Sequence, residues 1–296
     1  MTSLPPPSTR LPPPTTAPAG WYPDPDGVGQ RYFDGRAWAP AHPGFAAPEE
    51  HPSLPLGAAI GALVVLVVSL LVGKALVDWL VRYDWPIIVY VVVLAVVGYG
   101  PSLAWGAYVR RRWGGHELRS LGWRFRWSDL GWGPLTWVAA IGVQIVLGAV
   151  VLIFDIPLSS NVESAADLDA DRAYLVATLA TAVIAAPVIE ELVFRGLVLR
   201  GFLSRMVPAV AILLQGVLFG VAHVDPVRGW GNLGLALVLS GVGVVFGVAA
   251  YLTRRLGPSV IAHAIFNAVV LAIVLSGVLD DVDTDLGTLV ISVVAQ

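Results

Sequence analysis

Apolar residues in this chain come in long runs, not in the alternating pattern of half-buried strands or the one-sided stripe of surface helices. Seven such runs occupy residues 56–80, 86–109, 134–154, 173–199, 207–224, 233–252 and 258–279. A helix crossing a hydrocarbon layer needs about 20 mostly apolar residues. It must also satisfy its backbone polar groups within itself. The pattern therefore predicts an all-α, polytopic transmembrane bundle of about seven helices, eight at most. The first run begins near Leu56, behind a proline-rich stretch, so an N-terminal signal peptide is not expected.

Before that run the pattern is different. Of the chain's 22 prolines, the first 55 residues hold the majority, including Pro5, Pro6, Pro7, Pro12, Pro13 and Pro14. Such a stretch builds neither helix nor sheet, so residues 1–19 read as a disordered tail. Residues 20–40 read as a small Trp-rich module. Two aromatic clusters, around Trp21-Tyr22 and Tyr32-Phe33, flank turn dipeptides. A miniature β-hairpin is expected, with Trp21, Tyr22, Phe33 and Trp38 packed on one side. The segment resembles the short GWYPDP-type module at the N-terminus of many actinobacterial membrane proteins, and the resemblance gives it no partner. Residues 41–55 are a linker, 56–280 the helical domain, and 281–296 an acidic tail.

Composition narrows the function. Hydrophobic residues make up 56% and charged residues 13%, where an ordinary soluble domain carries about a quarter charged. The chain has no cysteine, which excludes disulfides, thiolate metal sites and a cysteine nucleophile. A net charge of -3 leaves no broad basic surface for nucleic acid. With the N-terminus inside, the inner loops hold Arg110, Arg111, Arg112, Arg119, Arg124, Arg126, Arg200, Arg205, Arg254 and Arg255, and the outer loops hold Arg82, Arg172 and Arg228. That asymmetry obeys the positive-inside rule. A plasma-membrane protein with a cytoplasmic N-terminus is expected. Tryptophans near the helix ends suit an interfacial belt.

Ionisable residues inside spans are costly, so each needs a reason. Lys74 and Asp78 stand four apart and can pair near a helix end. The fourth run carries Glu190-Glu191-Leu192-Val193-Phe194-Arg195. Arg195 lies four residues after Glu191, on one helical face, and can neutralise it. Glu190 points about 100° away and is left as the carboxylate free to act as a base. The same charges could instead mark a helix end at the inner interface. The fifth run ends Phe219-x-x-x-His223, and the seventh holds His263-x-x-x-Asn267. A lone apolar-helix histidine is usually a packing residue. Two of them, with Asn267 and the Glu-Glu-x-x-x-Arg segment on three helices, suggest a site. Neutral imidazole binds zinc or shuttles protons.

In this order and at these separations, the three segments resemble the motifs of the CPBP family, the CAAX-protease and bacteriocin-processing intramembrane proteases also called Abi. The resemblance covers residues ~170–270. It implies an all-α bundle whose active site lies between helices within the bilayer. It implies that Glu190 activates water, that Glu191 and Arg195 hold Glu190, that His223 positions the water or binds metal, and that His263 and Asn267 bind metal or stabilise the oxyanion. The cofactor is Zn²⁺ held by His223, His263 and Glu190, or no metal at all, with a glutamate mechanism. One conflict stands. On straight helices sharing this topology, His223 and His263 would differ in depth by roughly 15–20 Å.

The expected function is an intramembrane endopeptidase acting on membrane-associated peptides or protein tails. Its partners would be that substrate and the lipid bilayer. A non-catalytic immunity or scaffold protein is the alternative. A proton-coupled transporter is a third reading, but no internal repeat of the transporter kind is visible.

Overall fold

A computed structural model describes residues 18–23, 30–38, 54–114, 117–158, 172–224 and 232–276. The chain divides into two compact units, Met1–His51 and Pro52–Gln296. The acidic tail, most of the linker and most of the proline-rich tail lie outside the described residues.

In the first unit, β1 (Gly20–Pro23) pairs antiparallel with β2 (Gln30–Phe33), Gly20 opposite Phe33 and Trp21 opposite Tyr32. Neighbouring side chains on a strand face opposite ways, so Trp21 and Tyr22 cannot share a side. Tyr22, Phe33 and Trp38 do cluster, with ring centroids 5.3–6.3 Å apart. Trp21 instead packs edge-on against Tyr32 at 5.5 Å. The single four-ring cluster expected from sequence is thus two clusters, one on each face. Asp34 caps the following turn. Its carboxylate accepts the backbone N–H groups of Ala37 and Arg36, which hold it below the usual carboxylate range.

The second unit contains, among the described residues, the seven helical rods that the apolar runs predict. They are α1 (Leu56–Leu80), α2 (Ile88–Trp113), α3 (Asp129–Ile153), α4 (Leu175–Leu203), α5 (Pro208–Ala222), α6 (Leu233–Thr253) and α7 (Gly257–Leu275). Five are long and apolar enough to cross a membrane, while α5 and α7 are shorter. α3 starts at Asp129, so Pro134 lies within its first turns. α2 runs on to Trp113, which puts Arg110, Arg111 and Arg112 in its last helical turn. Cations there face the negative end of the helix dipole. Lys74 and Asp78 form the exposed four-residue pair at 3.5 Å. Trp105 is no belt residue: its indole N–H donates to the Ala58 carbonyl at 3.0 Å, over Gly61.

α4 runs through the middle of the bundle. Residues 193–202 are buried without a break, as a helix surrounded on all sides must be. The alanine face of α1 (Ala58, Ala59, Ala62) packs on it. α5 lies against α6, and α3 against both α6 and α7. Three π-helical turns break the regular spacing: Ala95–Tyr99 in α2, and Thr181–Ala185 and Leu192–Val198 in α4. Such turns re-aim side chains and free carbonyls. Arg200, expected in a loop, lies inside α4 and is buried, donating to the Arg254 carbonyl at 3.1 Å.

Candidate active site

The two adjacent glutamates of α4 face different neighbours. Glu191 is fully buried, and its Oε1 accepts Arg195 Nη1–H at 2.6 Å, one turn on. Arg195 also donates from Nη2 to the Gly243 carbonyl of α6 at 3.1 Å. Gln215 Nε2 of α5 donates to that same carbonyl at 3.2 Å. Phe219 and Phe246 face the guanidinium, 4.4 and 5.1 Å from their ring centroids. A planar cation held by a carboxylate, a carbonyl and two aromatic rings is well fixed. The buried charge is thereby compensated where water cannot do it.

Glu190 turns toward α5 and α7. His223 sits at the C-cap of α5, and its Nδ1–H donates to the Phe219 carbonyl at 2.7 Å. A carbonyl can only accept, so Nε2 is left bare, and it stands 3.5 Å from Glu190 Oε2. His263 of α7 is arranged alike. Its Nδ1–H donates to Glu191 Oε1 at 3.2 Å, and its Nε2 stands 3.9 Å from Glu190 Oε2. Both imidazoles are therefore anchored through Nδ1 and aim Nε2 at one carboxylate oxygen. The side chains of Glu190 and His223 stay 18% and 17% exposed, against 2% for His263. The first two face open space, and the third is built into the wall.

That space is a cavity of about 430 Å³, lined by Glu190, His223, His263 and Asn267 together with apolar residues of α1 and α2. Asn267 has a local task. The π-helical turn before Glu190 bonds the Ala186 N–H to the Thr181 carbonyl, five residues back. The next donor in that register is Pro187, which has no N–H. The Ala182 carbonyl is left over, and Asn267 Nδ2 donates to it at 2.7 Å. Asn267 thus ties α7 to α4 beside Glu190, and its Oδ1 is buried without a partner.

All six residues singled out in sequence, Glu190, Glu191, Arg195, His223, His263 and Asn267, are gathered here. The straight-helix expectation for the histidines is corrected. α5 has 15 residues, about 22 Å at 1.5 Å each, which is less than the ~30 Å hydrocarbon layer. His263 lies about 9 Å along α7. Both nonetheless reach one carboxylate oxygen, so the two helices do not start level and parallel. Sequence reasoning missed Gln215, Phe246 and the contribution of α1 and α2, where Ser69, Gly73, Gly98 and Tyr99 line the cavity. One usable signal was Gly98-Tyr99-Gly100-Pro101: a proline closely following a π-helical turn, as Pro187 does in α4.

Two imidazole nitrogens and a carboxylate are the donor types of a catalytic zinc centre, and anchored Nδ1–H groups are the usual outer support of such ligands. Among the described residues, no three His, Cys, Asp or Glu are grouped closely enough to hold a metal ion as they stand.

Residues 172–269, about a third of the chain, match the family model described as Type II CAAX prenyl endopeptidase Rce1-like. All six site residues fall within that match. Residues 19–51 match the model described as Protein of unknown function (DUF2510). No curated protein and no solved structure matches the chain.

Proposed function

We propose, on the premise that a chain whose residues 172–269 carry a CAAX-type, Rce1-like domain is a multi-pass intramembrane endopeptidase of the CPBP kind, that Glu190 is its general base. The observation behind this is the convergence of Glu190 Oε2 with His223 Nε2 and His263 Nε2, at 3.5 and 3.9 Å, on the wall of a cavity. These separations lie just outside direct hydrogen bonding, and one water can touch all three atoms. Glu190 takes a proton from that water as its oxygen attacks the peptide carbonyl carbon. The same proton then passes to the leaving nitrogen as the C–N bond breaks. His223 orients the water, because its Nδ1–H is committed and only Nε2 is free to accept. Glu191, shared between Arg195 and His263, fixes the His263 ring and keeps a second negative charge off Glu190. The substrate is a membrane-associated peptide or protein tail, since the cavity wall toward α1 and α2 is largely apolar.

The test is cleavage of a pool of membrane-anchored, fluorescence-quenched peptides by protein in phospholipid vesicles. Glu190→Gln is expected to lower kcat by about 10²–10⁴-fold, the range for a general base, with an unchanged thermal midpoint. Full activity of that variant would overturn the assignment.

The anchored tautomers favour a second reading. Zn²⁺ would be held by His223, His263 and Glu190, and when bound it would polarise a carbonyl and acidify a water. Stoichiometric zinc in purified protein, lost in His223→Ala, supports this reading. Zinc-free protein with full, chelator-resistant activity excludes it.

A further inference from the structure

Hydrolysis of a peptide bond needs a donor for the oxyanion as well as a base, and most polar groups around this cavity are already committed. This inference rests on the proposed hydrolytic reading. The oxyanion forms on the carbon that the activated water attacks. Its donor must therefore stand beside Glu190, about 3 Å from the developing charge. Arg195 is spent on Glu191 and the Gly243 carbonyl, and it is buried behind the site. Both histidines spend their Nδ1–H groups, on Phe219 and Glu191, and present only the bare Nε2. Asn267 donates to the Ala182 carbonyl. The reverse orientation of its amide would set two oxygens against each other, so its Oδ1 must face the other way. Ser69 donates to the Val65 carbonyl at 2.6 Å.

Two hydroxyls of the cavity wall remain without a hydrogen bond among the described residues, those of Thr181 and Tyr99. Thr181 lies on the same helix as Glu190, nine positions earlier, which is about 13 Å along the axis. It cannot serve the same carbonyl. Tyr99 comes from α2, on the opposite wall. It ends the π-helical turn Ala95–Tyr99, ahead of Gly100 and Pro101. The Glu190 carboxylate is near enough to act electrostatically on its hydroxyl. Gly98 beside it is buried, yet a Cβ built there meets nothing within 4 Å, so the backbone next to Tyr99 borders open cavity.

We infer that Tyr99 is a further catalytic residue, its phenolic O–H donating a hydrogen bond to the oxyanion of the tetrahedral intermediate formed opposite Glu190. The phenol keeps its proton throughout. When the carbonyl re-forms and the C–N bond breaks, the hydrogen bond relaxes. The proton on the amine comes from Glu190, so the account balances without a co-reactant.

Tyr99→Phe keeps the ring and removes the donor. In the vesicle assay, with the full chain and the same peptide pool, kcat is expected to fall about 10²-fold, the size of losing one oxyanion donor. KM and the thermal midpoint should not change, and Thr181→Val should keep the wild-type rate. A raised KM with unchanged kcat would make Tyr99 a substrate-packing residue and overturn the inference. Wild-type kcat in Tyr99→Phe beside an inactive Glu190→Gln would overturn it too, while leaving Glu190 as base. Retained activity in Glu190→Gln would instead bring down the hydrolytic reading itself.

Discussion

Arg195 shows what a single side chain contributes inside the bundle. It is 1% exposed and touches four groups on three helices: Glu191, the Gly243 carbonyl, and the rings of Phe219 and Phe246. Removing it alone strands Glu191 as a buried charge with only His263 beside it. Breaking a buried pair from one side typically costs about 3–5 kcal/mol, while replacing both partners by uncharged groups of similar size is far milder. Arg195→Met is therefore expected to lower the thermal midpoint in detergent more than the double change Glu191→Gln with Arg195→Met. If the double variant is the less stable, the pair is not the source of the loss. The pairing was legible from the four-residue spacing of Glu191 and Arg195. The aromatic cage was not, because Phe219 and Phe246 belong to other helices, and no local spacing reports which helices will be neighbours.

At the scale of elements, the closest approach is between α5 and α6. A Cβ at Gly220 would lie 2.3 Å from the Ala236 carbonyl oxygen and 2.6 Å from the Ser240 backbone nitrogen. These are backbone atoms, so the helices themselves would have to part. Close helix pairs in membranes depend on such small residues. Gly220→Val is expected to destabilise the bundle by about 1–3 kcal/mol, as overpacking does, and to shift His223, three residues on. Gly98→Leu is the contrasting change, because its added side chain enters empty cavity. That variant should keep the wild-type thermal midpoint and lose peptide cleavage. Equal loss of stability in both would mean that cavity and contact glycines do not differ. The apolar runs located all seven helices to within a few residues, because burial in lipid demands unbroken apolar length. The π-helical turns escaped notice, since they follow from hydrogen-bond register around Pro101 and Pro187 and leave hydrophobicity unchanged. So did the depth of the histidines, which depends on how the short helices are staggered.

For the whole molecule, the arginine count becomes a statement about one end of the bundle. The Leu54 N–H donates to the Arg200 carbonyl, the Leu256 N–H to the Gly122 carbonyl, and Arg200 to the Arg254 carbonyl. Arg255 holds the buried Asp129 carboxylate at the start of α3, with contacts at 2.5 and 3.0 Å. The start of α1, the α2–α3 loop, the end of α4 and the α6–α7 loop therefore meet at one end, and all of them carry arginines counted as inside. Three-dimensional packing and the charge rule thus group the same segments. The lack of cysteine makes the orientation directly testable. Leu118→Cys, exposed on the α2–α3 loop, and Tyr83→Cys, exposed past the far end of α1, leave every arginine in place. In intact cells a membrane-impermeant maleimide is expected to label Tyr83→Cys and to reach Leu118→Cys only after permeabilisation. The reverse result would put the arginine-rich end outside. His263, about 9 Å along α7 from that end, would then receive substrate from the extracellular side.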